Sequence, residues 1–213
     1  MGTAESRSAV DRVLAAHLAD LSEGPGPSSG HASRVGVWRL PEADKAALLS
    51  HGLPPDRQDE FYGIVGRVQE SEGTDRGPDG RHVYRLASYG TARLVAVEGS
   101  GEVLALPATT EVHPDLAHLH PRGIAPALVN SKTAAFVECA WRWNSLVSIL
   151  AQEQERAGEN EISAWKSGQL ENLDDPYSEY QELCAYVLRR FQEIDPGIDQ
   201  DRGFWSDVII DVS

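Results

Sequence analysis

Three histidines near the middle of the chain have the spacing that comes closest to a chemical site. His113, His118 and His120 form H-x4-H-x-H in an irregular, proline-rich segment. Imidazole is a common metal ligand, and Glu111 or Asp115 could add a carboxylate to the set. The spacing matches no familiar structural or catalytic metal set, and His113 and His120 each directly precede a proline. We therefore expect ordinary loop histidines, with no bound metal and no cofactor.

Two adjacent aspartates offer a second chemical possibility. Asp174 and Asp175 lie near Glu171 and could act together in acid–base catalysis or bind a divalent cation. A helix N-terminus explains them more simply, because Asp175 precedes Pro176 and Glu179 falls in the first turn. The expected arrangement is Asp175 as the N-cap and proline at the first helical position.

The sequence lacks the common catalytic motifs of fixed spacing. The sequence contains no G-x-x-x-x-G-K-[ST] phosphate loop, no H-E-x-x-H, no paired C-x-x-C and no H-x-E followed by P-C-x-x-C. The two cysteines, Cys139 and Cys184, lie far apart in helix-like patterns, so we expect buried free thiols and no disulfide. These absences favour a binding role over catalysis.

Charge is the most informative bulk property of the chain. Nineteen basic and 33 acidic residues give a net charge of −14, which argues against nucleic-acid binding. Residues 151–213 hold fifteen acidic and five basic residues, so this segment carries −10 of the total. A solvated acidic surface that aids solubility is one interpretation. The alternative is a surface that attracts a basic protein partner by electrostatic steering.

The expected location of the protein is the cytoplasm. No run of residues approaches the roughly 18 apolar residues that cross a bilayer. The N-terminus, MGTAESRSAVDR, lacks the basic-then-apolar pattern of a secretory signal. We therefore expect no membrane association, and a monomer when the protein is free.

Hydrophobic periodicity predicts the elements of the first part of the chain. A helix is expected over Glu5–Leu21, either as a mobile arm or as a packed appendage, followed by a flexible Gly/Pro/Ser linker at 23–33. RVGVWRL, at Arg34–Leu40, alternates like a strand. The next segment is predicted to be a helix that begins at Pro41 and ends at Gly52.

The centre of the chain is predicted to be an antiparallel meander. HVYRLASYG and TARLVAVEG are strand-like, Gly99-Ser100-Gly101 is a hairpin turn, and EVLALPATT is the returning strand. One more short strand is expected at Ala127–Val129.

A long helix is then predicted from Ser131 to Gly158, with Ser131 or Asn130 as its cap. Trp141 is expected to pack under another helix or to reach a surface. The residues of this helix that follow a 3-4 spacing, and are expected to face the sheet, are Phe136, Cys139, Ala140, Trp143 and Val147.

The last predicted elements are a second long helix and a tail. The helix is expected over Pro176–Ile194, and the tail cluster of Trp205, Val208 and Ile209 is expected to pack back on the body. Strands followed by helices, rather than alternating with them, indicate an α+β domain.

Three segments, taken in order, carry a family resemblance. LPEADKAALLSHGLP, Leu40–Pro54, is similar to an early helix that ends in Gly-Leu-Pro. YGTARLVAVEGSGEVLAL, Tyr89–Leu106, is similar to a central hairpin, and LVNSKTAAFVECAWRW, Leu128–Trp143, to a strand–Asn-Ser–helix element. Together they resemble the SUKH superfamily of bacterial immunity proteins, closest to its fourth subfamily. The resemblance covers roughly Val35–Leu150 and the acidic C-terminal helix and tail.

The resemblance implies an α+β fold with a mixed or mainly antiparallel central sheet flanked by helices, here with an extra N-terminal helix. It implies a single SUKH-like domain at 34–213. The N-terminal helix at 1–22 and the linker at 23–33 are not part of the family pattern and are expected from apolar spacing and composition alone. The resemblance also implies no enzyme activity, and a cognate polymorphic toxin as partner, often a nuclease or a deaminase. The absence of a catalytic set and the acidic balance are compatible with a basic toxin of this kind.

Aromatic residues set among carboxylates give the candidate binding surface. Aromatics dominate interface energy, while charges set association rate and selectivity. The alternative is that these aromatics are core contacts of their own helix. The candidate toxin-binding residues are Trp165, Glu171, Asp174, Asp175, Tyr177, Glu179 and Tyr180, with Glu161 beside them.

Two other functions remain open from the sequence. The first is a metal-dependent enzyme that uses the loop of His113, His118 and His120. The second is a regulatory adaptor module whose first helix is a tethered docking arm.

Overall fold

The structure, a computed structural model, describes residues 3–22, 34–55, 64–66, 68, 74–77, 79–108, 125–167, 175–201 and 203–210. The helices are α1 (Thr3–Ala15), α2 (Leu18–Leu21), α3 (residues 34–37), α4 (Glu42–His51), α5 (Thr133–Ser167), α6 (Ser178–Ile194) and α7 (Phe204–Ile210). The strands are β1 (Val65–Gly66), β2 (Asp75–Arg76), β3 (His82–Tyr89), β4 (Ala92–Val97), β5 (Val103–Leu106) and β6 (Ala127–Asn130). The predicted α+β class, including N-terminal helices, is confirmed.

Every strand pair of the described sheet is antiparallel. The strand order is β1-β3-β4-β5-β6, and the short β2 also pairs with β3. The turn between β4 and β5 is the predicted hairpin, in which Gly99 and Gly101 have φ values of 83° and 73°. Glycine adopts these left-handed conformations without steric cost, so the sequence specifies this turn locally.

Both faces of the central hairpin are buried, which explains its nearly continuous apolar sequence. Leu94 and Ala96 of β4 point into the main core, together with the helices. Val95 and Val97 alternate with them and belong to a smaller cluster, which also includes Leu104 from β5. The period of two along each strand therefore divides the apolar residues between two cores.

The predicted core face of α5 is confirmed. Its five residues at 3-4 spacing are all buried in the cluster that also contains the inner face of the sheet. Trp141, outside that stripe, packs under another helix: it is buried, and its indole N–H donates to the carbonyl oxygen of Gly52 at the end of α4 (3.3 Å). The tail is also as predicted, since Trp205, Val208 and Ile209 of α7 are buried in the same core.

Three predicted element boundaries are wrong. Residues 34–37 are helical rather than a strand, because Val35 and Trp38 are buried at helical spacing while Val37 is exposed. The first helix is interrupted between Ala15 and Leu18. In addition, α6 begins two residues later than predicted, at Ser178.

The end of α5 was also predicted wrongly, because the helix continues past Gly158 to Ser167. Glycine inside a helix costs only about 1 kcal/mol relative to alanine, which is too little to end a helix that packs on both sides of it. Ala157 and Ala164 are buried. The hydroxyl of Tyr177 lies against Gly158, where a Cβ atom would be 3.3 Å away, so the glycine makes room for that side chain.

The cap of α5 is not the predicted one. Asp44 of α4 is almost completely buried, and its Oδ1 accepts the backbone N–H of Ala134 in the first turn of α5 (2.7 Å). Burial raises the pKa of Asp44, although the hydrogen bond from Ala134 and the charge of Lys132 act in the opposite direction. A carboxylate from a helix that is distant in sequence therefore caps α5, in place of Ser131 or Asn130.

Asparagine at position 44 is expected to preserve stability at neutral pH, whereas alanine is not. Asp44→Asn keeps an oxygen for the N–H of Ala134 and removes a buried charge, so we expect it to be neutral or slightly stabilising. Asp44→Ala loses the cap and should cost about 1–2 kcal/mol of unfolding free energy. Chemical denaturation of the three proteins checks this.

The difference in stability between the wild type and Asp44→Asn should depend on pH. Because folding raises the pKa of Asp44, the wild type should lose stability relative to Asp44→Asn as the pH rises through that raised pKa. A gap between the two proteins that stays constant with pH would contradict this assignment.

Asn130 and Ser131 instead belong to a buried polar network around Asp195, at the end of α6. One oxygen of Asp195 accepts the side-chain N–H of Asn130 (2.9 Å) and the backbone N–H of Ser131 (2.7 Å). The other accepts the hydroxyl of Ser131 (2.7 Å) and the backbone N–H of Gly197 (3.0 Å). The side-chain Oδ1 of Asn130 then accepts the indole N–H of Trp205 (3.0 Å). This network joins β6, α6 and α7.

The N-terminal helix α1 is a packed element. Val10 and Leu14 are buried in the main core. At its C-terminal end, the guanidinium of Arg142 on α5 donates to the carbonyl oxygens of Val13 (2.7 Å), Leu14 (3.0 Å) and Ala16 (3.3 Å). A cation at this position satisfies carbonyl groups that a helix end leaves unpaired. The predicted linker at 23–33 lies outside the described residues.

Candidate protein-binding surface

The last three turns of α5 present an exposed apolar pair. Ile162 is 53% exposed and Trp165 is 69% exposed. Residues three apart on a helix are neighbours on its surface, so the two side chains form one patch. Ala157 and Ala164, on a neighbouring face of the same helix, are buried. This end of the helix is therefore packed on one side and open on the other.

Trp165 differs from every other tryptophan of the chain. Trp38, Trp141, Trp143 and Trp205 are all buried. Exposing a large aromatic side chain leaves its apolar area in water, and such residues are enriched where proteins bind partners.

Carboxylates surround the apolar pair. Glu155, Glu159 and Glu161 of α5 are all exposed. Glu159 lies three residues before Ile162, and Glu161 lies four residues before Trp165, so both are surface neighbours of the pair. Lys166 is the exposed basic residue of the same turns. The local charge is negative, in line with the overall charge of −14.

Arg156, on the same helix, is held by carboxylates. Its guanidinium donates to Oε2 of the buried Glu153 and to Oε2 of Glu179 at the start of α6 (3.3 Å). An open cleft beside this arginine is lined by residues of α5, namely Gln152, Glu153, Glu155, Arg156 and Glu159. Arg156 thus links α5 to α6 beside the exposed carboxylates.

The start of α6 contributes three of the candidate residues to this region. Asp175 is exposed, and its Oδ1 accepts the backbone N–H of Tyr177 (2.9 Å) in the turn before the helix. Tyr177 is half-buried against Gly158 of α5, and Glu179 is exposed. Gly158, Ile162 and Trp165 share one stripe of α5 by their spacing, which places Tyr177 at one end of the apolar pair.

Tyr180 occupies a different environment from the other candidates. It is buried, and its hydroxyl lies 3.3 Å from the carbonyl oxygen of Ile210, to which it donates. It therefore supports the packing of α6 against α7. Glu171 and Asp174 lie outside the described residues.

Ile162, Glu155 and Glu159 were missed by sequence reasoning. The predicted helix ended at Gly158, so Ile162 was not assigned to the face that also carries Trp165. Their helical spacing was present in the sequence, and it becomes readable once α5 is extended to Ser167.

No second chemical site is defined by the described residues. The three-histidine loop lies outside them, and the described part of the chain contains no group of three or more His, Cys, Asp or Glu that could hold a metal ion. Cys139 and Cys184 are buried free thiols, as predicted. Burial raises the pKa of both thiols, in the case of Cys184 to about 11. Neither is therefore set up as a nucleophile.

None of the described helices combines the length and the apolar character needed to span a bilayer.

The described residues therefore form an α+β protein whose longest helix carries an exposed apolar pair among carboxylates. The family model of the SUKH-4 immunity proteins matches residues 14–211, so the chain belongs to that family. The predicted resemblance is confirmed, and the match includes the end of α1. Family membership implies a cognate toxin that this protein neutralises, and the family is typically non-enzymatic.

Searches of curated proteins and of solved structures found no match.

Proposed function

We propose that the protein neutralises its toxin by direct binding through the acidic end of α5 and the start of α6. We call this the α5–α6 surface, formed by Glu155, Glu159, Glu161, Ile162, Trp165, Asp175, Tyr177 and Glu179. Glu171 and Asp174, which lie between α5 and α6 in the sequence, remain candidates from the sequence alone. The observation that carries the proposal is Trp165, which is 69% exposed beside Ile162 and among carboxylates.

The physical roles of the two kinds of residue differ. Tryptophan is enriched among the residues whose truncation costs most in protein interfaces, because its large side chain fills a pocket of the partner. Exposed carboxylates gain little affinity individually, but they accelerate the encounter with a basic partner and disfavour acidic ones. The apolar pair is therefore the anchor, and the carboxylates select the partner.

We propose that the toxin is a nuclease or a deaminase that acts on nucleic acid or nucleotides. Enzymes that bind nucleic acid need a basic surface to contact phosphates. A partner of net charge −14 is complementary to such a surface, and it occupies the space that the polyanionic substrate needs. In this proposal the protein is cytoplasmic, a monomer when free, uses no cofactor and does not itself bind nucleic acid.

The test is to mix the purified full chain, at micromolar concentration, with the C-terminal domain of the protein encoded by the adjacent gene. We expect a stoichiometric complex and loss of the toxin's nuclease or deaminase activity. The association rate should fall steeply as salt is raised, because the carboxylates are screened. An unrelated basic nuclease is the control and should form no stable complex. If no complex forms with the adjacent gene product at this concentration, the proposal is wrong.

A further inference from the structure

One of the described contacts between α1 and α5 ends on a buried carboxylate. Glu153 of α5 is only 3% exposed, although it belongs to the acidic segment. A buried carboxylate is costly unless its oxygens are hydrogen-bonded and its charge is paired. Oε1 of Glu153 accepts the hydroxyl of Ser6 on α1, and Oε2 accepts the guanidinium of Arg156.

Ser6 is suited to this role because it is completely buried. It is 0% exposed and lies one helical turn before Val10, which is also buried. The hydroxyl cannot be replaced by bulk water at that position. Ser8, two residues later, is exposed on the same helix and has no such contact among the described hydrogen bonds.

The position of α1 is fixed independently of Ser6. Arg142 holds its C-terminal end, as described above. On the side of α6, the hydroxyl of Tyr186 donates to Oδ1 of Asp11 (2.7 Å), and the guanidinium of Arg7 lies 3.4 Å from the centroid of the Tyr186 ring. Ser6 is thus presented to Glu153 from a helix attached at several points.

The contact continues from Glu153 to the exposed surface. Arg156 bonds Glu153 and also reaches Glu179, which is exposed at the start of α6. The order of contacts is therefore Ser6, Glu153, Arg156, Glu179. If Ser6 releases Glu153, the carboxylate and Arg156 can rearrange, and the contact of Arg156 with Glu179 changes with them.

We infer that Ser6 is a positioning residue for toxin binding, and that α1 is a working part of the binding apparatus rather than a separable arm. The inference rests on the proposed function, since it concerns the same surface. Ser6 does not touch the toxin. It acts by holding Glu153, so that Arg156 and Glu179 present a fixed arrangement of charges to a basic partner.

The experiment compares four purified full-length proteins in binding to the same toxin domain: wild type, Ser6→Ala, Glu179→Gln and the double variant. Ser6→Ala should weaken binding by about threefold to tenfold, within the range found for residues that act on a site through other residues. Ser8→Ala is the matched control and should bind as the wild type does. In the Glu179→Gln background, Ser6→Ala should change the toxin affinity little further, because the contact between Arg156 and Glu179 is already altered.

Two further variants distinguish a positioning role of Ser6 from a purely structural one. Tyr186→Phe removes the hydrogen bond to Asp11 without touching Glu153, so it should lower stability slightly and leave the toxin affinity unchanged. Glu153→Gln can still accept from Ser6 but no longer pairs with the charge of Arg156. Glu153→Gln should lower the affinity for the toxin domain as Ser6→Ala does. If Ser6→Ala folds poorly, the affinity of Glu153→Gln tests the inference in its place.

The outcomes distinguish the inference from the proposed function. If the wild type binds the toxin domain and neither Ser6→Ala nor Glu153→Gln differs from Ser8→Ala, the inference is wrong and the proposed function stands. Additive effects of Ser6→Ala and Glu179→Gln would also overturn it. If the wild type itself does not bind, the proposed function fails, and the inference fails with it.

Discussion

Trp165→Ala is expected to weaken toxin binding by a factor of about 30 or more, while the fold is unaffected. Loss of a central tryptophan from an interface typically costs about 2 kcal/mol or more, which corresponds to this factor. Because Trp165 is 69% exposed in the free protein, its removal leaves no cavity in the core. Isothermal titration with the toxin domain measures the loss, and the thermal midpoint of the free protein should stay within a few degrees.

Val37→Ala is the matched control for this prediction. Val37 is also an exposed apolar residue, at 58%, but it lies near the other end of α5. The carbonyl oxygen of Arg39, two residues after Val37, accepts the backbone N–H of Gly99 in the β4–β5 turn. The carbonyl oxygen of Gly101 in the same turn accepts the hydroxyl of Thr133 at the start of α5. A helix of 35 residues is about 50 Å long, so Val37 is remote from Trp165. Equal binding losses for the two variants would contradict the assigned surface.

Asp195→Ala is expected to destabilise the protein by about 3–5 kcal/mol without any direct effect on the binding surface. The substitution leaves four donors without an acceptor, namely two from Ser131, one from Asn130 and one from Gly197. Removing one member of a buried charged network costs this much because the remaining polar groups stay buried and unpaired. For a chain of this size the thermal midpoint should fall by about 10 °C.

Asp201→Ala provides the control, since Asp201 is an exposed aspartate a few residues away. It should change the thermal midpoint little. If Asp195→Ala were no more destabilising than Asp201→Ala, the network would not be the link between β6, α6 and α7 that the structure indicates.

The pH dependence gives a second check on Asp195. Burial by itself would raise the pKa of this carboxyl, but the hydrogen bonds from Ser131, Asn130 and Gly197 together outweigh it and hold the pKa below the usual aspartate range. A carboxyl with a lowered pKa stabilises the fold above its unfolded pKa, and this contribution is lost as the pH falls through its folded pKa. The stability gap between wild type and Asp195→Ala should therefore narrow in acid.

Local sequence patterns specify some elements of this fold and not others. The β4–β5 hairpin, the core face of α5 and the tail cluster were predicted because each is determined by nearby residues: glycines in a turn, or apolar spacing along one helix. The SUKH resemblance followed from the hairpin, the start of α5 and the segment Leu40–Pro54. Residues 34–37 were assigned wrongly because Val35, Val37 and Trp38 fit two periods, and only packing decides which side chain is exposed.

The parts that could not be predicted depend on residues distant in sequence. The cap of α5 comes from Asp44, 90 positions before Ala134, and the partner of Asn130 is Asp195 on α6. Local rules assigned the cap to the nearest serine or asparagine, and they gave no sign of the bond between Asn130 and Asp195. On the candidate surface, Trp165 and Glu179 were named from composition, but Ile162 required the true end of α5, and Tyr180 required knowledge of what covers α6.

The position of Trp165 in the toxin complex tests the central claim most directly. The protein can be labelled with 5-fluorotryptophan and observed by ¹⁹F NMR with unlabelled toxin domain, the Trp165 signal being assigned with Trp165→Phe. In the free protein, the signals of the four buried tryptophans should show little solvent exposure and that of Trp165 a large one. We expect toxin binding to shift the Trp165 signal and remove its solvent exposure. A complex in which this signal keeps its free position and exposure would contradict the α5–α6 surface as the toxin-binding site.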